Sequence, residues 1–462
     1  MFNKYRIIHF VGIGGIGMSG IAEVLYNLGY EVTGSDIKES EVTSRLRNLG
    51  IKIFIGHDSK NINSAHVVVI SSAVSTDNPE VLEAKQRSIP VIPRAEMLAE
   101  LGRLRYGILV AGAHGKTTTT SLVATILNEG GLDPTVIIGG KLKSMGSNAK
   151  LGQGDYIVAE ADESDGSFLK LNPTIAVITN IDREHMDYFK DIDLLKHAFL
   201  SFINKIPFYG IAVVCIENGY IREIIPLIQR KYLTYGLSEG SDIYARNIQS
   251  LGMRIGFEAV YKGKPLGMFN IPLPGKHNVL NSLAAIAVAM ELQIPLDVIA
   301  RALNNFSGIQ RRFEFKGEVN GIKIFDDYGH HPSEIMATLR AARECFNDSR
   351  LFVLFQPHRY TRTRDLMNEF ITSFTSCLNS SDRLFLMDIY SAGEKPIEGV
   401  SSKVLAKKIQ YAGFKNLSYI PDRREILEKV ASELKQGDVL ITLGAGDVYK
   451  IGEEVLKKTN LG

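Results

Sequence analysis

The sequence has few cysteines, little net charge and no long apolar run. Its three cysteines, Cys215, Cys345 and Cys377, lie far apart without metal-ligand spacing, so they exclude a disulfide framework and favour a reducing cytoplasm. A formal net charge of +2 argues against binding nucleic acid or a membrane surface through bulk charge. No stretch has the length of a membrane span, and the short polar start is unlike a signal peptide.

What is present is typical of a globular enzyme. Hydrophobic residues make up 45% of the 462 residues and charged residues 23%, and this length predicts two or three domains. Apolar strand-like runs alternate with helical stretches throughout, which predicts parallel sheets with right-handed crossovers. We therefore predict three α/β domains over residues 1–104, 105–310 and 311–462.

The most informative stretch is a strand, a glycine loop and a helix, in that order. Residues 108–111 are apolar, residues 112–115 read Gly-Ala-His-Gly, and Lys116 opens a helix that runs to about Glu129. Glycines let backbone N–H groups approach an anion, and a helix N-terminus adds partial positive charge. Lys116 is placed to reach the β- and γ-phosphates, and the Thr117 hydroxyl to ligate Mg²⁺. Val110 breaks the strict eight-residue pattern, so a glycine-rich turn with a chance Lys-Thr stays an alternative.

A second glycine motif, Gly12-x-Gly14-x-x-Gly17, lies between strand-like runs near the N-terminus. Alone, it fits NAD binding with Asp36 on a ribose, although the same turn suits any diphosphate, and a strand-end turn residue is the alternative interpretation of Asp36. Ser71 and Ser72 follow another apolar strand, at the edge where open α/β sheets bind ligands. Capping of a turn explains these serines equally well.

Acidic residues follow two predicted strands of the central domain. Glu160 directly continues an apolar strand, and we expect the rest of the acidic run to residue 165 to be a solvated loop. His185 follows the next strand, together with Asp182. Carboxylates at strand ends beside a phosphate loop supply the hard oxygen ligands that Mg²⁺ requires. His185 is a ligand for a second cation, an orienting group or a structural histidine.

Polar groups also mark a later helix and the last domain. Asn278 and Asn281 share one face at the entrance of an Ala-rich helix, where Asn278 is alternatively an N-cap. In the last domain, Arg359 and Arg362 follow the strand 351–355 and are placed to bind an anionic substrate.

Together these motifs resemble the Mur ligases of bacterial cell-wall synthesis. The resemblance covers essentially the whole chain, and its first glycine motif matches the alanine-adding type. It rests on residues 9–20, 112–118, 159–165, 185–187, 277–281, 311–313, 326–332 and 356–363. An NAD-dependent oxidoreductase, a nucleotide-operated switch and a folate-polyglutamating ligase are the alternatives, and each leaves some of these motifs unexplained.

The resemblance implies an ATP-dependent, amide-forming ligase with UDP-N-acetylmuramate, L-alanine and ATP as substrates and Mg²⁺ as cofactor. It implies Rossmann-like first and last domains around a central ATPase-type domain, and it replaces NAD by UDP in the first. A cytoplasmic monomer or homodimer, without nucleic acid or membrane insertion, is expected.

The resemblance also implies a role for individual residues of this sequence. Those assigned to UDP-sugar binding are Gly12, Gly14, Gly15, Ile16, Gly17, Asp36, Ser71 and Ser72. Those assigned to ATP are Gly112, Ala113, His114, Gly115, Lys116, Thr117, Thr118, Asn278 and Asn281. The metal ligands are Thr117, Glu160 and His185, and the catalytic set is Lys116, Glu160, His185, Arg312 and Asp327. The substrate carboxylate and the amino acid are assigned to Tyr328, His330, His331, Arg359 and Arg362.

Overall fold

The structure is a computed structural model that describes residues 5–71, 73–103, 105–143 and 147–458. The strands within these ranges are β1 (Ile7–Val11), β2 (Glu31–Asp36), β3 (Lys52–Ile55), β4 (Val67–Ile70), β5 (Val91–Pro93), β6 (Tyr106–Ala111), β7 (Thr135–Leu142), β8 (Ser147–Lys150), β9 (Tyr156–Glu160), β10 (Ile175–Ile178), β11 (Ile211–Cys215), β12 (Tyr232–Gly236), β13 (Ile243–Leu251), β14 (Arg254–Tyr261), β15 (Lys264–Ile271), β16 (Glu314–Val319), β17 (Ile322–Asp327), β18 (Leu351–Phe355), β19 (Arg383–Leu386), β20 (Leu417–Tyr419) and β21 (Val439–Leu443).

The helices connect these strands in an alternating α/β pattern. They are α1 (Ile16–Asn27), α2 (Glu41–Asn48), α3 (Pro79–Gln86), α4 (Arg94–Gly102), α5 (Lys116–Glu129), α6 (Met186–Phe189), α7 (Ile192–Ile203), α8 (Gly219–Ile224), α9 (Lys276–Glu291), α10 (Leu296–Asn304), α11 (Pro332–Cys345), α12 (Tyr360–Asp365), α13 (Met367–Cys377), α14 (Ser402–Tyr411), α15 (Arg423–Glu433) and α16 (Tyr449–Lys458). Across the described ranges, every helix is too short or too polar to cross a membrane.

The first sheet is parallel and has the order β3-β2-β1-β4-β5. Its central strand β1 is an apolar run that is buried from Ile8 to Val11, because a parallel sheet with helices on both faces excludes water from both sides. The chain leaves β1 through Gly12, whose φ of +80° favours glycine, and enters α1. This is the Rossmann-like arrangement predicted for the N-terminal part.

The second sheet has ten strands in the order β15-β14-β13-β12-β11-β10-β6-β9-β7-β8. The strands from β12 to β7 run parallel, and β8 pairs with β7 in the antiparallel sense. β6 lies between β10 and β9. The loop after β6 therefore leaves the sheet beside the carboxyl ends of both neighbouring strands.

The third sheet has the order β16-β17-β21-β18-β19-β20 and is parallel except for the β16–β17 pair. Alternate residues of β18 enter two hydrophobic clusters, Val353 and Phe355 in one and Phe352 and Leu354 in the other. This period of two is expected for a strand covered on both faces. The three sheets together confirm the predicted three-part α/β fold class.

The described chain forms two compact units. The first sheet and most of the second belong to one unit, made of residues up to 248 with 257–270 and 279–307. The third sheet belongs to the other, made of residues 249–256, 271–278 and from 308 onward. The proposed domain boundaries, at residues 104 and 310, stay predictions.

Within the first unit, α1 packs on the β7–β8 hairpin. Asn148 on β8 donates a hydrogen bond to the carbonyl of Ile16 at 2.5 Å, and Arg45 donates to Ser147 and Asn148, each at 3.2 Å. A Cβ on Gly20 would lie 3.1 Å from the Asn148 amide nitrogen, so α1 and the hairpin pack closely at this glycine. The hairpin of the second sheet thus joins the first sheet through α1.

Candidate active site

The loop after β6 depends on two glycines. Gly112 has a φ of +134°, and a Cβ there would lie 2.1 Å from the Thr179 hydroxyl. Gly115 has a φ of +82°, and a Cβ there would lie 2.7 Å from Oδ1 of Asn281. Both the left-handed backbone and the crowding require glycine. Asn281, predicted to serve the nucleotide, therefore lies directly against the phosphate loop.

The residues that follow β10 hold the loop in place. The amide of His114 donates to Oδ1 of Asn180 at 2.8 Å, and its carbonyl accepts from Thr179 Oγ1 at 2.6 Å and from Asn180 Nδ2 at 2.9 Å. The His114 ring lies 2.9 Å from the Asp182 carboxylate. Our sequence analysis missed Thr179 and Asn180, although their position after a buried strand was a usable signal.

Lys116, the first residue of α5, forms a buried ion pair with Glu163. Its ammonium donates to both carboxylate oxygens, at 2.9 and 3.0 Å, and only 2% of the Glu163 side chain is exposed. Burial opposes the charge on the ammonium, but the carboxylates of Glu163 and Asp162 outweigh it and raise the pKa of Lys116. Our expectation of a solvated acidic loop is therefore wrong for Glu163.

Glu163 and two further side chains form a candidate cation site. Ligand atoms of Glu163, Glu184 and His185 lie within 4.8 Å of one another. His185 has a φ of +57°, and its backbone forms the N-cap of α6. The predicted ligands Thr117 and Glu160 are not members of this group as the described residues form it; the Glu160 carboxylate accepts from the amide of Gly139 at 2.7 Å. Glu163 and Glu184 were missed as ligand candidates.

The first glycine turn is organised by Asp36. Its carboxylate accepts a hydrogen bond from the Gly14 amide at 2.8 Å, so the strand-end acid fixes the shape of the turn. Gly15 is the N-cap of α1, while Ile16 and Gly17 form the first turn of that helix. Ser71 packs beside Gly12, where a Cβ would lie 3.3 Å from the serine Cβ. Ser72 lies outside the described residues.

In the second unit, Asp327 ends β17 and is buried. It accepts hydrogen bonds from the amides of Phe313 and Gly329, both at 2.7 Å. Burial raises the pKa of Asp327 to about 6, against the opposing effects of Arg312 and of these amides. The Arg312 guanidinium lies 5.5 Å from the centre of the Tyr328 ring. Arg312 is therefore a neighbour of Asp327 and Tyr328, which were predicted from a separate motif.

Imidazole and guanidinium groups meet at the ends of β17 and β18. The rings of His330 and His358 are 5.5 Å apart, and His358 stacks on Tyr390. Burial lowers the pKa of His358 to about 3, helped by His330, Arg362 and Arg359, so its ring is neutral at physiological pH. His358 and Tyr390 were missed, although His358 immediately precedes the predicted Arg359.

Three further predicted residues have local roles in the second unit. His331 is the N-cap of α11, where its ring accepts from the Ser333 amide at 3.3 Å. The backbone amide of Arg359 donates to the Tyr390 carbonyl at 2.8 Å. Asn278 lies inside α9, and its side chain donates to the Pro274 carbonyl at 2.7 Å. It is therefore not the N-cap that the simpler interpretation suggested.

Family models match in three consecutive blocks that follow this architecture. A Mur ligase catalytic-domain model matches residues 7–106, a Mur ligase middle-domain model matches 110–289, and a Mur ligase glutamate-ligase-domain model matches 311–446. The chain belongs to the Mur ligase family.

Individual relatives match this Mur ligase over almost its whole length. A UDP-N-acetylmuramate–L-alanine ligase from Geotalea uraniireducens is 57% identical over 458 residues, covering 99% of both chains. A crystal structure of the corresponding ligase from Thermotoga maritima aligns with a TM-score of 0.83 and 28% identity, covering 98% of this chain and 99% of that one. A murein peptide ligase from Psychrobacter arcticus, 24% identical with a TM-score of 0.72 and 98% coverage of this chain, shares the fold.

Proposed function

We propose that this Mur ligase joins L-alanine to the carboxylate of UDP-N-acetylmuramate with cleavage of ATP to ADP and phosphate. The observation that carries the proposal is the phosphate loop with its charged Lys116, held by Thr179 and Asn180. Glycines with left-handed backbone, amides at the start of α5 and a buried ammonium form a site for a nucleoside triphosphate. The 57% identity to an alanine ligase supports the choice of acceptor and amino acid.

The reaction consists of two coupled steps, and in each of them negative charge on the reacting groups has to be neutralised. The muramyl carboxylate attacks the γ-phosphorus of ATP, so that an acyl phosphate forms while the bond to the bridging oxygen breaks and ADP leaves. The amine of alanine then attacks the acyl carbon and loses a proton, and inorganic phosphate leaves. Lys116 and the loop amides stabilise charge on the transferring phosphoryl group. Arg359 and Arg362 offset repulsion between the two anionic substrates.

The donor set fits Mg²⁺ as the cofactor. Glu163 and Glu184 offer the carboxylate oxygens that this ion prefers, and His185 completes the group. Thr117 and Glu160 remain the proposed ligands beside the ATP phosphates. When bound, Mg²⁺ neutralises charge on the phosphate oxygens. Without Mg²⁺, the loop amides and Lys116 alone hold the phosphates.

The test is phosphate release from Mg-ATP with UDP-N-acetylmuramate and L-alanine supplied separately and together. Release that requires both, with formation of the amide product, is the expected result. A murein peptide in place of alanine tests the activity that the Psychrobacter relative's name describes. Release without the sugar nucleotide contradicts the proposal. A nicotinamide-fluorescence titration tests the NAD alternative separately.

A further inference from the structure

A cavity of about 490 Å³ lies at the amino ends of four neighbouring parallel strands, β11, β10, β6 and β9. Its lining includes the buried side chains of Ile108, Ile175 and Ile211. Open α/β sheets bind their substrates at the carboxyl ends of the strands, and the length of β6 separates the cavity from the phosphate loop by about 15–20 Å. The cavity is therefore distinct from the candidate active site, and its volume suits a small molecule.

Three tyrosines form the walls of this cavity. The ring centre of Tyr106 lies 5.9 Å from that of its cross-strand neighbour Tyr156 and 6.5 Å from that of Tyr209, which it meets at 86°. Tyr106 is 48% exposed and Tyr209 57%, so both present aromatic surface to a molecule in the cavity. A flat ring stacked on one wall of such a corner points its electropositive edge at the electronegative face of the other wall. The corner therefore favours a planar aromatic ligand.

The polar side of the cavity carries balanced charge. Glu291, the last residue of α9, lines the cavity, and its Oε1 accepts a hydrogen bond from Lys231 at 2.7 Å. Because this ion pair is balanced, an ionic ligand finds no counter-charge here, and burial of an unpaired charge is costly. A carboxylate accepts several hydrogen bonds, so Glu291 keeps the capacity to accept one from an N–H of a ligand. The site thus favours neutral molecules with an N–H donor.

Three elements run between this cavity and the phosphate loop. β6 leads from the cavity to Gly112, and β10 leads from it to Thr179. α9 contains Asn281, which lies against Gly115 of the loop, and ends at the cavity with Glu291. A ligand in the cavity orders the same elements that hold the loop, so a second ligand on the loop loses less conformational entropy on binding. We therefore expect occupancy of the cavity to strengthen binding at the loop.

We propose that this cavity is an effector site for a neutral, planar aromatic molecule with an N–H donor, and that its occupancy strengthens ATP binding at the phosphate loop. The part of the inference that concerns ATP rests on the proposed function. The carboxyl ends of the central strands then serve the reaction, while their amino ends bind a molecule that regulates it.

Indole is the probe, because it is neutral and planar and has one N–H donor. The chain contains no tryptophan, so the fluorescence of added indole is measured without interference from indole groups of the protein. In the full chain with labelled isoleucine methyl groups, indole shifts the resonances of Ile108, Ile175 and Ile211. It also shifts that of Ile181, which follows Asn180 beyond the loop end of β10. Benzofuran, which has the same shape without the N–H, binds about tenfold more weakly.

Two matched pairs of variants test the lining of the cavity. Tyr209→Ala removes one wall and weakens indole binding on the order of tenfold. Phe208→Ala removes the adjacent ring, which is 93% exposed and outside the lining, and leaves the indole affinity unchanged. Glu291→Gln weakens indole binding several-fold because a charged acceptor is lost. Lys231→Gln breaks the same ion pair but keeps the carboxylate, and it keeps indole binding.

Calorimetric titration with ATP tests the coupling to the loop. At saturating indole, ATP binds to the wild type about fivefold more tightly or better, and ATP strengthens indole binding by the same factor because linkage is reciprocal. Unchanged or weaker ATP binding overturns the inference. Equal effects of Tyr209→Ala and Phe208→Ala on indole binding, or the absence of methyl shifts at the cavity, also overturn it.

Two further outcomes separate this inference from its alternatives. Loss of indole binding at high protein concentration, relieved by Phe208→Ala, assigns this face to a second copy of the chain and overturns the inference. If the wild type does not bind ATP at all, the proposed function fails. The Ile181 methyl resonance then decides whether the cavity is coupled to the loop, since its response to indole requires no nucleotide.

Discussion

The ammonium of Lys116 and the carboxylate of Glu163 are joined by two hydrogen bonds, at 2.9 and 3.0 Å. The lysine that serves the phosphate loop is thus held by an internal anion. Under the proposed function, the γ-phosphate has to take over from Glu163 as the partner of Lys116. Glu163 also belongs to the candidate cation group, so releasing it from Lys116 makes a carboxylate available to Mg²⁺ as the nucleotide arrives.

Replacement of Glu163 tests whether the γ-phosphate takes its place as the partner of Lys116. Glu163→Gln removes the competing charge, so ATP binds several-fold more tightly without Mg²⁺, while the Mg²⁺ concentration needed for half-maximal turnover rises because a ligand is lost. Removing one partner of a buried pair also lowers the free energy of unfolding by about 3 kcal/mol. Calorimetric ATP titrations with and without Mg²⁺ measure the ATP affinity in each condition, and turnover at increasing Mg²⁺ concentrations measures the Mg²⁺ requirement. Unchanged affinity in both conditions contradicts the exchange, and Asp165→Asn, on the same loop, is the control.

Lys116→Ala separates the two nucleotide sites. Removal of a positioned charge from the phosphoryl-transfer site lowers kcat by roughly a hundred- to a thousandfold or more. Binding of UDP-N-acetylmuramate changes little, because that ligand is assigned to the first glycine turn. Product formation and direct binding are measured on the same preparation. Loss of both to a similar degree would rule out separate sites.

Gly112→Ala tests the loop geometry. Its Cβ would lie 2.1 Å from Thr179 Oγ1 and 2.8 Å from the Asn180 carbonyl, at a φ of +134°. We expect a loss of about 1–3 kcal/mol in stability from backbone strain and a fall in ATP affinity on the order of ten- to a hundredfold. Gly131→Ala is the matched control, since φ there is +76° with open space around the new Cβ. It loses about 1 kcal/mol but keeps ATP affinity, and equal ATP affinities in the two variants would contradict this account.

A buried carboxylate in the first sheet gives a pH-dependent prediction. Burial opposes the charge of Glu80, but the side chains of His9, Ser35 and Asn61 outweigh it and hold its pKa at about 2. A depressed carboxyl pKa stabilises the fold above the unfolded value near 4.5, and this contribution disappears as pH falls toward 2. Glu80→Gln is therefore less stable than the wild type by about 3 kcal/mol at pH 7.

Urea unfolding of both proteins at pH 7, 4.5 and 3 checks this sign. The gap between wild type and Glu80→Gln narrows from pH 4.5 to pH 3, because protonation removes the advantage of the wild type. Glu83→Gln, three residues later on α3 and paired at the surface with Arg87, is the control and changes stability by less than about 1 kcal/mol. A gap that stays constant over this range would contradict the role of Glu80.

The strand–loop–helix units could be predicted from the sequence because their signals are local. The apolar run 108–111, the glycines at 112 and 115 and the helix from Lys116 to Glu129 need no distant information, and α5 has those bounds. The partners of the loop could not be predicted in this way. Thr179 and Asn180 reach His114 because β10 lies beside β6, and strand order is not encoded in periodicity.

The acidic loop illustrates the same limit for the candidate site. Glu163 looks in sequence like any other acid of a polar run, and only the fold brings it to Lys116, 47 residues away. Glu184 and His185 join it by the same route. Residue type and strand-end position predicted the edge of the sheet at which these charged groups lie, whereas the pairing of particular charges depends on side-chain packing that a single sequence does not express.

The seating of α1 on the β7–β8 hairpin has a consequence for selectivity. Asn148, Arg45 and the close contact at Gly20 join the helix behind the first glycine turn to a hairpin of the second sheet within one compact unit. The distance between the two glycine turns is consequently set by the fold of this unit. Under the proposed function, a sugar nucleotide bound through its diphosphate at the first glycine turn reacts only if its carboxylate reaches the phosphate loop, so this separation selects nucleotides by the distance between their diphosphate and their carboxylate.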